Sequence, residues 1–234
     1  MEKMRLDKII SATGKKSRRE VRQMVKEGRI LVNGAFAASP DEKFDPEETE
    51  ILLDGEDLGY RRYTYVLMHK PAGVLTATED ARADTVLSLL PPELQQLFPV
   101  GRLDKDTEGL LLLTNDGDLA HRLLSPKNHV EKVYYARVEG ELTEDDCRAF
   151  AAGMTLGDGQ KCMPAGLKRL SASEALVTLH EGKFHQVKRM LAARGKPVVY
   201  LKRLAMGPLR LEDSLPKGAY RFLTEKEKES LQTL

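Results

Sequence analysis

Acidic side chains that could act as nucleophiles or general bases are concentrated in a charged turn near the middle of the chain. Residues 101–121 read GRLDKDTEGLLLLTNDGDLAH. The GRLD of residues 101–104 ends a short extended run that begins near Phe98, and the apolar run at 109–113 has the length of a buried strand, too short to cross a membrane. Asp104 therefore lies on an ordered scaffold but outside the apolar run. That placement favours a reacting carboxylate over a buried structural one.

The elements on either side of Asp104 must hold it in place. Three residues with oxygen-bearing side chains, at positions 114–116, precede leucines at 119, 123 and 124 that share one helical face. This pattern predicts a capped helix after the strand. The expected local order is strand, charged turn, strand and helix.

Two other interpretations of the turn compete with the catalytic one. Asp104 could cap the turn or pair with Arg102 or Lys105, which is the ordinary role of an aspartate in such a place. The DKDTEG of residues 104–109 also matches the start of a calcium-binding loop, which closes with a bidentate Glu at its twelfth position. That position is Asn115 here, and the residues at 110–113 are all Leu. The calcium interpretation therefore fails.

Residues 101–121 closely resemble the central motif of the RsuA-type pseudouridine synthases, which isomerise a uridine in ribosomal RNA. The resemblance rests on GRLD, the T-x-G-L-L-L turn and strand, and T-N-D-G. In that family the Asp after Gly-Arg-Leu is the catalytic nucleophile, which corresponds to Asp104. The resemblance implies an α+β fold: a small alpha-L helical RNA-binding module, then a larger catalytic domain built on a mixed, mainly antiparallel sheet flanked by helices. The isomerisation consumes nothing, so no cofactor is implied.

Composition is consistent with this assignment. The chain has 234 residues, 41% of them hydrophobic, enough for one large domain or two smaller ones. It opens with MEKMRLDK, which lacks an apolar signal region, and no run approaches 18 apolar residues, so we expect a soluble cytoplasmic protein without membrane contact. Cys147 and Cys162 lack C-x-x-C spacing, and the five histidines form no H-E-x-x-H pattern. No metal site is predicted.

The charged residues are segregated along the chain. Net charge is only 37 − 36 = +1, but residues 1–35 carry ten Lys/Arg against four Asp/Glu, residues 36–60 one against nine, and residues 183–210 eight against none. The local net charges are therefore +6, −8 and +8. Separate basic patches of this size indicate a polyanionic partner better than the total does.

The N-terminal segment is predicted to form two helices and a hairpin. Ser17 and Glu20 have the spacing of a capping box, residues 30–32 form a strand, and Asn33-Gly34 a tight turn. The R-L-D-K…S-R…G-x-I-x-V-N-G pattern resembles the alpha-L RNA-binding module of a small-subunit ribosomal protein and tyrosyl-tRNA synthetase. That resemblance implies phosphate contacts from the basic residues of the turn and second helix: Lys15, Lys16, Arg18, Arg19, Arg22 and Lys26.

The expected domain boundaries follow from the acidic stretch after this module. Residues 51–53 with Asp54-Gly55 form its last hairpin. We therefore expect an RNA-binding domain at 1–58, a linker at 59–62 and the catalytic domain at 63–234.

The catalytic domain is predicted to begin with a strand that ends at Met68, before a turn at Pro71 and Gly73. The family has Asn-Lys-Pro-x-G at this point. His69 stands where Asn is usual, so the role of position 69 is open, and Lys70 is predicted to contact RNA.

Two further motifs of the family supply the remaining candidates. The strand KVYYARV at 132–138 contains the family's Lys-x-Tyr, which implies that Tyr134 stacks on the target base and that Lys132 contacts RNA; Tyr135, on the opposite face, is expected in the core. The run GKFHQVKRM at 182–190 resembles the family's third motif, in which a basic residue pairs with the catalytic aspartate. Lys188 aligns best, and Arg189 remains a rival. His185, Gln186, Arg189 and Arg102 are further candidates for RNA contact.

The resemblance and the charge pattern together predict an RNA-modifying isomerase. Its nucleophile is an aspartate, and its target base leaves the RNA stack. The HQVKRM form of the third motif and the lack of a long basic tail favour 16S over 23S ribosomal RNA, free or in an assembling small subunit. A monomer is expected. The alternative from another class is a ribosome-assembly factor without catalysis, which would not need a carboxylate facing a polyanion.

Overall fold

A computed structural model of the chain describes residues 3–46, 49–60 and 62–233. The chain divides into two compact units, Met1–Thr64 and Tyr65–Leu234. Arg61, within the predicted linker, lies outside the described residues. No helix in the described ranges is long and apolar enough to cross a membrane.

The first unit packs two helices against short strands. Its elements are β1 (Met4–Arg5), α1 (Leu6–Ala12), α2 (Arg18–Lys26), β2 (Ile30–Val32), β3 (Ala35–Phe36), β4 (Lys43–Phe44), β5 (Ile51–Leu53) and β6 (Glu56–Asp57). One sheet has the order β3-β2-β5-β6, and β1 pairs with β4. The predicted capping box is present, because the Ser17 side chain accepts from the Glu20 amide and the Glu20 carboxylate accepts from the Ser17 amide. Asn33 and Gly34 both have positive φ, as a two-residue hairpin turn requires.

The second unit is built on one large sheet. Its strands are β7 (Tyr65–Lys70), β8 (Phe98–Pro99), β9 (Glu108–Thr114), β10 (Lys132–Val138), β11 (Met154–Thr155), β12 (Lys161–Cys162), β13 (Gly166–Arg169), β14 (Glu174–Leu179), β15 (Val198–Met206), β16 (Leu209–Arg210) and β17 (Tyr220–Phe222). Its helices are α3 (Gly117–Leu124), α4 (Glu144–Ala152), α5 (Gln186–Ala193) and α6 (Glu225–Gln232), with 3-10 turns at Val86–Leu89, Pro92–Leu94 and Pro126–Asn128.

The large sheet has the order β13-β14-β10-β15-β9-β7-β17, with β8 paired to β9 and β16 to β15. The β9–β15 pair is parallel and the other pairs are antiparallel. The predicted mixed, mainly antiparallel sheet is therefore confirmed. Strand β9 is buried along its whole length, as the run of leucines predicts, and Asp116 caps α3 by accepting from the Leu119 amide.

Gly109 lies directly opposite Arg203 in the parallel pair. A Cβ atom at this position would lie 2.2 Å from the Arg203 carbonyl oxygen, and Gly109 has a φ of +113°. Only glycine satisfies both conditions, so Gly109 allows the strand that follows the acidic turn to lie against β15.

Helix α5 packs on the face of β10 that carries Tyr134. Val187, Met190 and Leu191 share a core cluster with Tyr134 and Leu103. These contacts place the third motif beside the acidic turn, although more than 70 residues separate the two segments in the sequence.

Two predictions about the strands of this unit are wrong, one about where β7 ends and one about which face of β10 is buried. Strand β7 runs two residues beyond Met68 and buries both His69 and Lys70. On β10, Tyr134 is the residue in the core, whereas Tyr135 is half-buried on the other face and donates its hydroxyl to Glu174. Packing against α5 determines which face of β10 is buried, and the sequence of the strand alone does not show which face that is.

Candidate active site

The backbone of the acidic turn is anchored by a buried lysine. Lys70 has no exposed surface. Its Nζ atom donates to the carbonyl oxygens of Asp104 (3.0 Å), Lys105 (3.3 Å) and Thr107 (2.9 Å), and to that of Pro71 (3.0 Å). Burial lowers the pKa of Lys70 to about 8. The prediction that Lys70 contacts RNA is wrong, since this side chain points into the protein and supports the turn.

A second set of contacts fixes the residue just before Asp104. The buried Thr76 hydroxyl donates to the Leu103 carbonyl oxygen at 2.7 Å and lies 3.2 Å from the Leu103 amide, which donates back to it. The Gly73 amide donates to the Lys105 carbonyl oxygen at 2.7 Å. The segment that follows β7 therefore holds the turn on both sides of Asp104.

The carboxylate of Asp104 is held between two basic side chains of the third motif. Lys188 Nζ lies 2.9 Å from Oδ2, and His185 Nε2 lies 3.2 Å from Oδ1. The same ammonium lies 2.6 Å from Asp106 Oδ1. Burial lowers the pKa of Lys188, but the hydrogen bonds to Asp106 and Asp104 outweigh it and leave that pKa raised. Lys188 is therefore a fixed cation beside the candidate nucleophile.

The structure distinguishes the two rivals for this position. Arg189 points away from Asp104: its Nη2 lies 2.5 Å from Asp158 Oδ2, and its Nη1 donates to Gln160 Oε1 at 2.6 Å. Successive residues on a helix point about 100° apart, so only one of the pair reaches the acidic turn. That residue is Lys188.

A pocket of about 110 Å³ opens beside Asp104. Tyr134 and Arg203, directly paired across β10 and β15, line it together with Lys132 and His185. Burial and, to a smaller extent, the charge of Arg203 together lower the pKa of Lys132 to about 8. The site thus combines a carboxylate, an aromatic ring and cations, which suits a flat base attached to an anionic backbone.

Sequence reasoning did not find Thr76 or Arg203. Arg203 Nε donates to the Leu110 carbonyl oxygen at 2.8 Å, and within the described part of the chain its buried Nη2 atom has no hydrogen-bond partner. In the sequence Arg203 stands out only as part of the basic 183–210 segment, and Thr76 carries no signal beyond following the Pro-x-Gly turn.

Other predicted RNA-contacting residues have different surroundings. Gln186 is buried at the pocket, where its side chain donates to Glu181 and accepts from the Lys183 amide; RNA contact by this residue stays a prediction. Arg102 is exposed at the pocket. In the first unit Lys16 is half-buried, and the other predicted phosphate contacts are exposed: Lys15, Arg18, Arg19, Arg22 and Lys26.

The described residues contain no group of three or more His, Cys, Asp or Glu side chains that could hold a metal ion. Cys147 and Cys162 are both free thiols.

Comparison with known proteins assigns the chain to a family. Residues 64–193 match the RNA pseudouridylate synthase family, and residues 4–49 match the S4 domain. An uncharacterised RNA pseudouridine synthase of Bacillus subtilis, YtzG, is 47% identical over 96% of both chains. The ribosomal small subunit pseudouridine synthase A of Vibrio cholerae is 39% identical over 97% of this chain and 99% of its own. The protein of the same name from Escherichia coli is 37% identical over 96% and 98%.

A solved structure agrees with these sequence matches. A crystal structure of a pseudouridylate synthase is 35% identical, covers 97% of this chain and 99% of its own, and superposes with a TM-score of 0.70. The matched ranges include the acidic turn, β10 and α5, which together form the pocket. The chain therefore belongs to the RNA pseudouridine synthase family, as an isomerase of RsuA type that carries an S4 domain.

Proposed function

We propose that this enzyme converts one uridine of 16S ribosomal RNA to pseudouridine, with Asp104 as the nucleophile and with the target base flipped into the pocket. The observation that carries the proposal is the Asp104 carboxylate at the pocket, 2.9 Å from the Lys188 ammonium. The name ribosomal small subunit pseudouridine synthase A, given to several relatives, supports the small subunit as the source of the RNA.

The reaction requires a charge distribution that this site provides. The C1′–N1 bond breaks with its electron pair left on the uracil, the ring turns, and a C5–C1′ bond forms. The proton lost from C5 is balanced by the one that N1 takes up. The Lys188 ammonium, 2.9 Å from the Asp104 carboxylate, offsets the repulsion between this carboxylate and the RNA phosphates. Tyr134 offers a ring face against which the flipped base stacks, which offsets part of the few kcal/mol that leaving the RNA stack costs.

The S4 domain supplies a second contact with the RNA. The exposed basic residues of α2 bind backbone phosphates and position the RNA without reading its sequence. We propose that residues 1–58 have this role, that residues 63–234 carry the chemistry, and that the enzyme works as a cytoplasmic monomer on free 16S ribosomal RNA or on an assembling small subunit.

Pseudouridine mapping in ribosomal RNA from cells with and without this protein tests the proposal. One 16S position should lose its pseudouridine when the gene is deleted and regain it when the gene is restored. Loss of a 23S position instead would assign the enzyme to the large subunit. Unchanged maps of both RNAs would support a binding factor without catalysis.

A further inference from the structure

We propose that Phe184 is a stacking platform for an unpaired base next to the target uridine. The inference rests on the proposed function, because it requires RNA at Asp104. It adds a binding site outside the pocket, one that holds a neighbouring nucleotide while the target base is flipped.

Phe184 is more exposed than any other large apolar side chain in the described part of the chain. Its exposed fraction is 73%. One face of its ring lies on the His185 imidazole, with 3.8 Å between centroids and 17° between planes. The opposite face is left open to a third ring, and base–aromatic stacking has this parallel geometry.

The platform lies beside the reacting carboxylate. His185, on which Phe184 stacks, lies with Nε2 3.2 Å from Asp104 Oδ1 and lines the pocket. A base on the open face of Phe184 would continue a column of rings that begins next to Asp104. Such a base belongs to a nucleotide close in sequence to the target, because the flipped uridine occupies the pocket itself.

The loop that carries Phe184 is held in place by buried partners. The Gln186 side chain accepts from the Lys183 amide at 3.0 Å and donates to Glu181 at 2.6 Å. His185 has a left-handed backbone, with φ of 48° and ψ of 33°, a conformation that a non-glycine residue adopts only when its surroundings impose it. The exposed ring is therefore displayed on an ordered support, which reduces the conformational entropy lost on binding.

The charge of the segment that carries Phe184 favours RNA over a protein as the partner. Residues 183–210 contain eight Lys/Arg and no Asp/Glu, although Lys183 and Arg189 pair with Glu181 and Asp158 from other parts of the chain. A single flat ring on a basic segment matches a base attached to a phosphate backbone, the combination that single-stranded RNA presents. A ring that docks on another protein would be expected to form part of a wider apolar patch.

The test compares full-length variants on unmodified 16S ribosomal RNA transcript. Phe184→Ala should raise KM by about 5- to 150-fold, the range for removal of one stacked base, while kcat changes little. Phe184→Tyr should retain the low KM, whereas Phe184→Leu, which keeps apolar area without a flat ring, should not. Phe222→Ala is the matched control, since Phe222 is also exposed, at 53%, in the same unit.

Salt dependence separates stacking from phosphate binding. The slope of log Kd against log salt should be the same for Phe184→Ala and wild type, because stacking releases no counterions. An unchanged KM for Phe184→Ala would overturn the platform, and so would full recovery with leucine. If no variant forms pseudouridine but Phe184→Ala still weakens RNA binding, the proposed function fails and the platform stands. If Phe184→Ala converts the RNA normally with an unchanged KM, the platform is overturned and the proposed function stands.

Discussion

Replacing Lys188 with Met is expected to slow isomerisation far more than it weakens RNA binding. The ammonium lies between two carboxylates, 2.9 Å from Asp104 and 2.6 Å from Asp106. Methionine keeps much of the side-chain volume but removes the positive charge. The two carboxylates then face each other and the RNA phosphates with no cation between them. Asp104 then loses both orientation and electrostatic support, and its remaining partners are His185, at 3.2 Å, and the Thr107 hydroxyl, at 3.4 Å.

The magnitude follows from the burial of the pair. The side chains of Lys188 and Asp104 are each 22% exposed, so solvent screens their interaction only in part. A hydrogen bond to a charged group contributes about 1.5–3 kcal/mol net, which corresponds to about 10- to 150-fold in rate. The effect on RNA affinity should stay within about fivefold, because one partly solvated charge contributes about 1 kcal/mol or less.

Single-turnover conversion of 16S transcript by excess enzyme measures this rate without product release. Arg189→Met is the matched control, since Arg189 lies on the same helix but pairs with Asp158, and its rate should stay within about fivefold of wild type. Lys188→Arg should recover part of the lost rate by restoring a cation. If Arg189→Met is the slower variant, the wrong residue has been assigned; if both convert at the wild-type rate, the ion pair has no catalytic role.

Three further outcomes are expected. Replacing Arg18, Arg19 and Arg22 together by Gln should lower the slope of log affinity against log salt by about 0.7–0.9 for each phosphate that α2 no longer binds; an unchanged slope would mean that α2 does not touch the RNA backbone. Conversion of prefolded RNA should survive EDTA, and a restored rate on adding metal would contradict this. Lys70→Met should lower the free energy of unfolding by about 1–3 kcal/mol, because carbonyl oxygens of the turn lose their donor. Burial lowers the Lys70 pKa from 10.5 to about 8. Between these two pH values the folded chain has lost the Lys70 proton, whereas the unfolded chain still binds it. Because the unfolded state binds more protons, the stability advantage of wild type over Lys70→Met should rise with pH in that window, by at most about 1.4 kcal/mol per pH unit. Denaturant titrations in which this advantage falls with pH would refute the prediction.

Local sequence signals predicted the elements that carry the site. The leucines of β9, the Ser17–Glu20 capping box and the cap of α3 each depend on neighbours within a few residues, so the sequence reveals them. The position of Asp104 between two strands followed from the same signals.

Long-range packing determined what the sequence did not reveal. The sequence around Lys70 predicts a surface residue, because no neighbouring residue in the sequence shows that carbonyl oxygens of the 104–107 turn will surround its ammonium. In the sequence Arg203 does not differ from the other basic residues of its segment, and only the pairing of β10 with β15 places it beside Tyr134. The motif resemblance left Lys188 and Arg189 as rivals, and the packing of α5 separates them.

The most direct test of the central claim is pseudouridine formation by Asp104→Asn on 16S transcript. The neighbouring Asp106→Asn is its control, because Asp106 lies in the same turn and pairs with the same lysine but is 76% exposed. Asp104→Asn should bind the RNA nearly as well as wild type and convert it at least about 10⁴-fold more slowly, as expected for the loss of a nucleophile, while Asp106→Asn remains active. Conversion by Asp104→Asn at more than about a thousandth of the wild-type rate would contradict the assignment of Asp104 as the nucleophile.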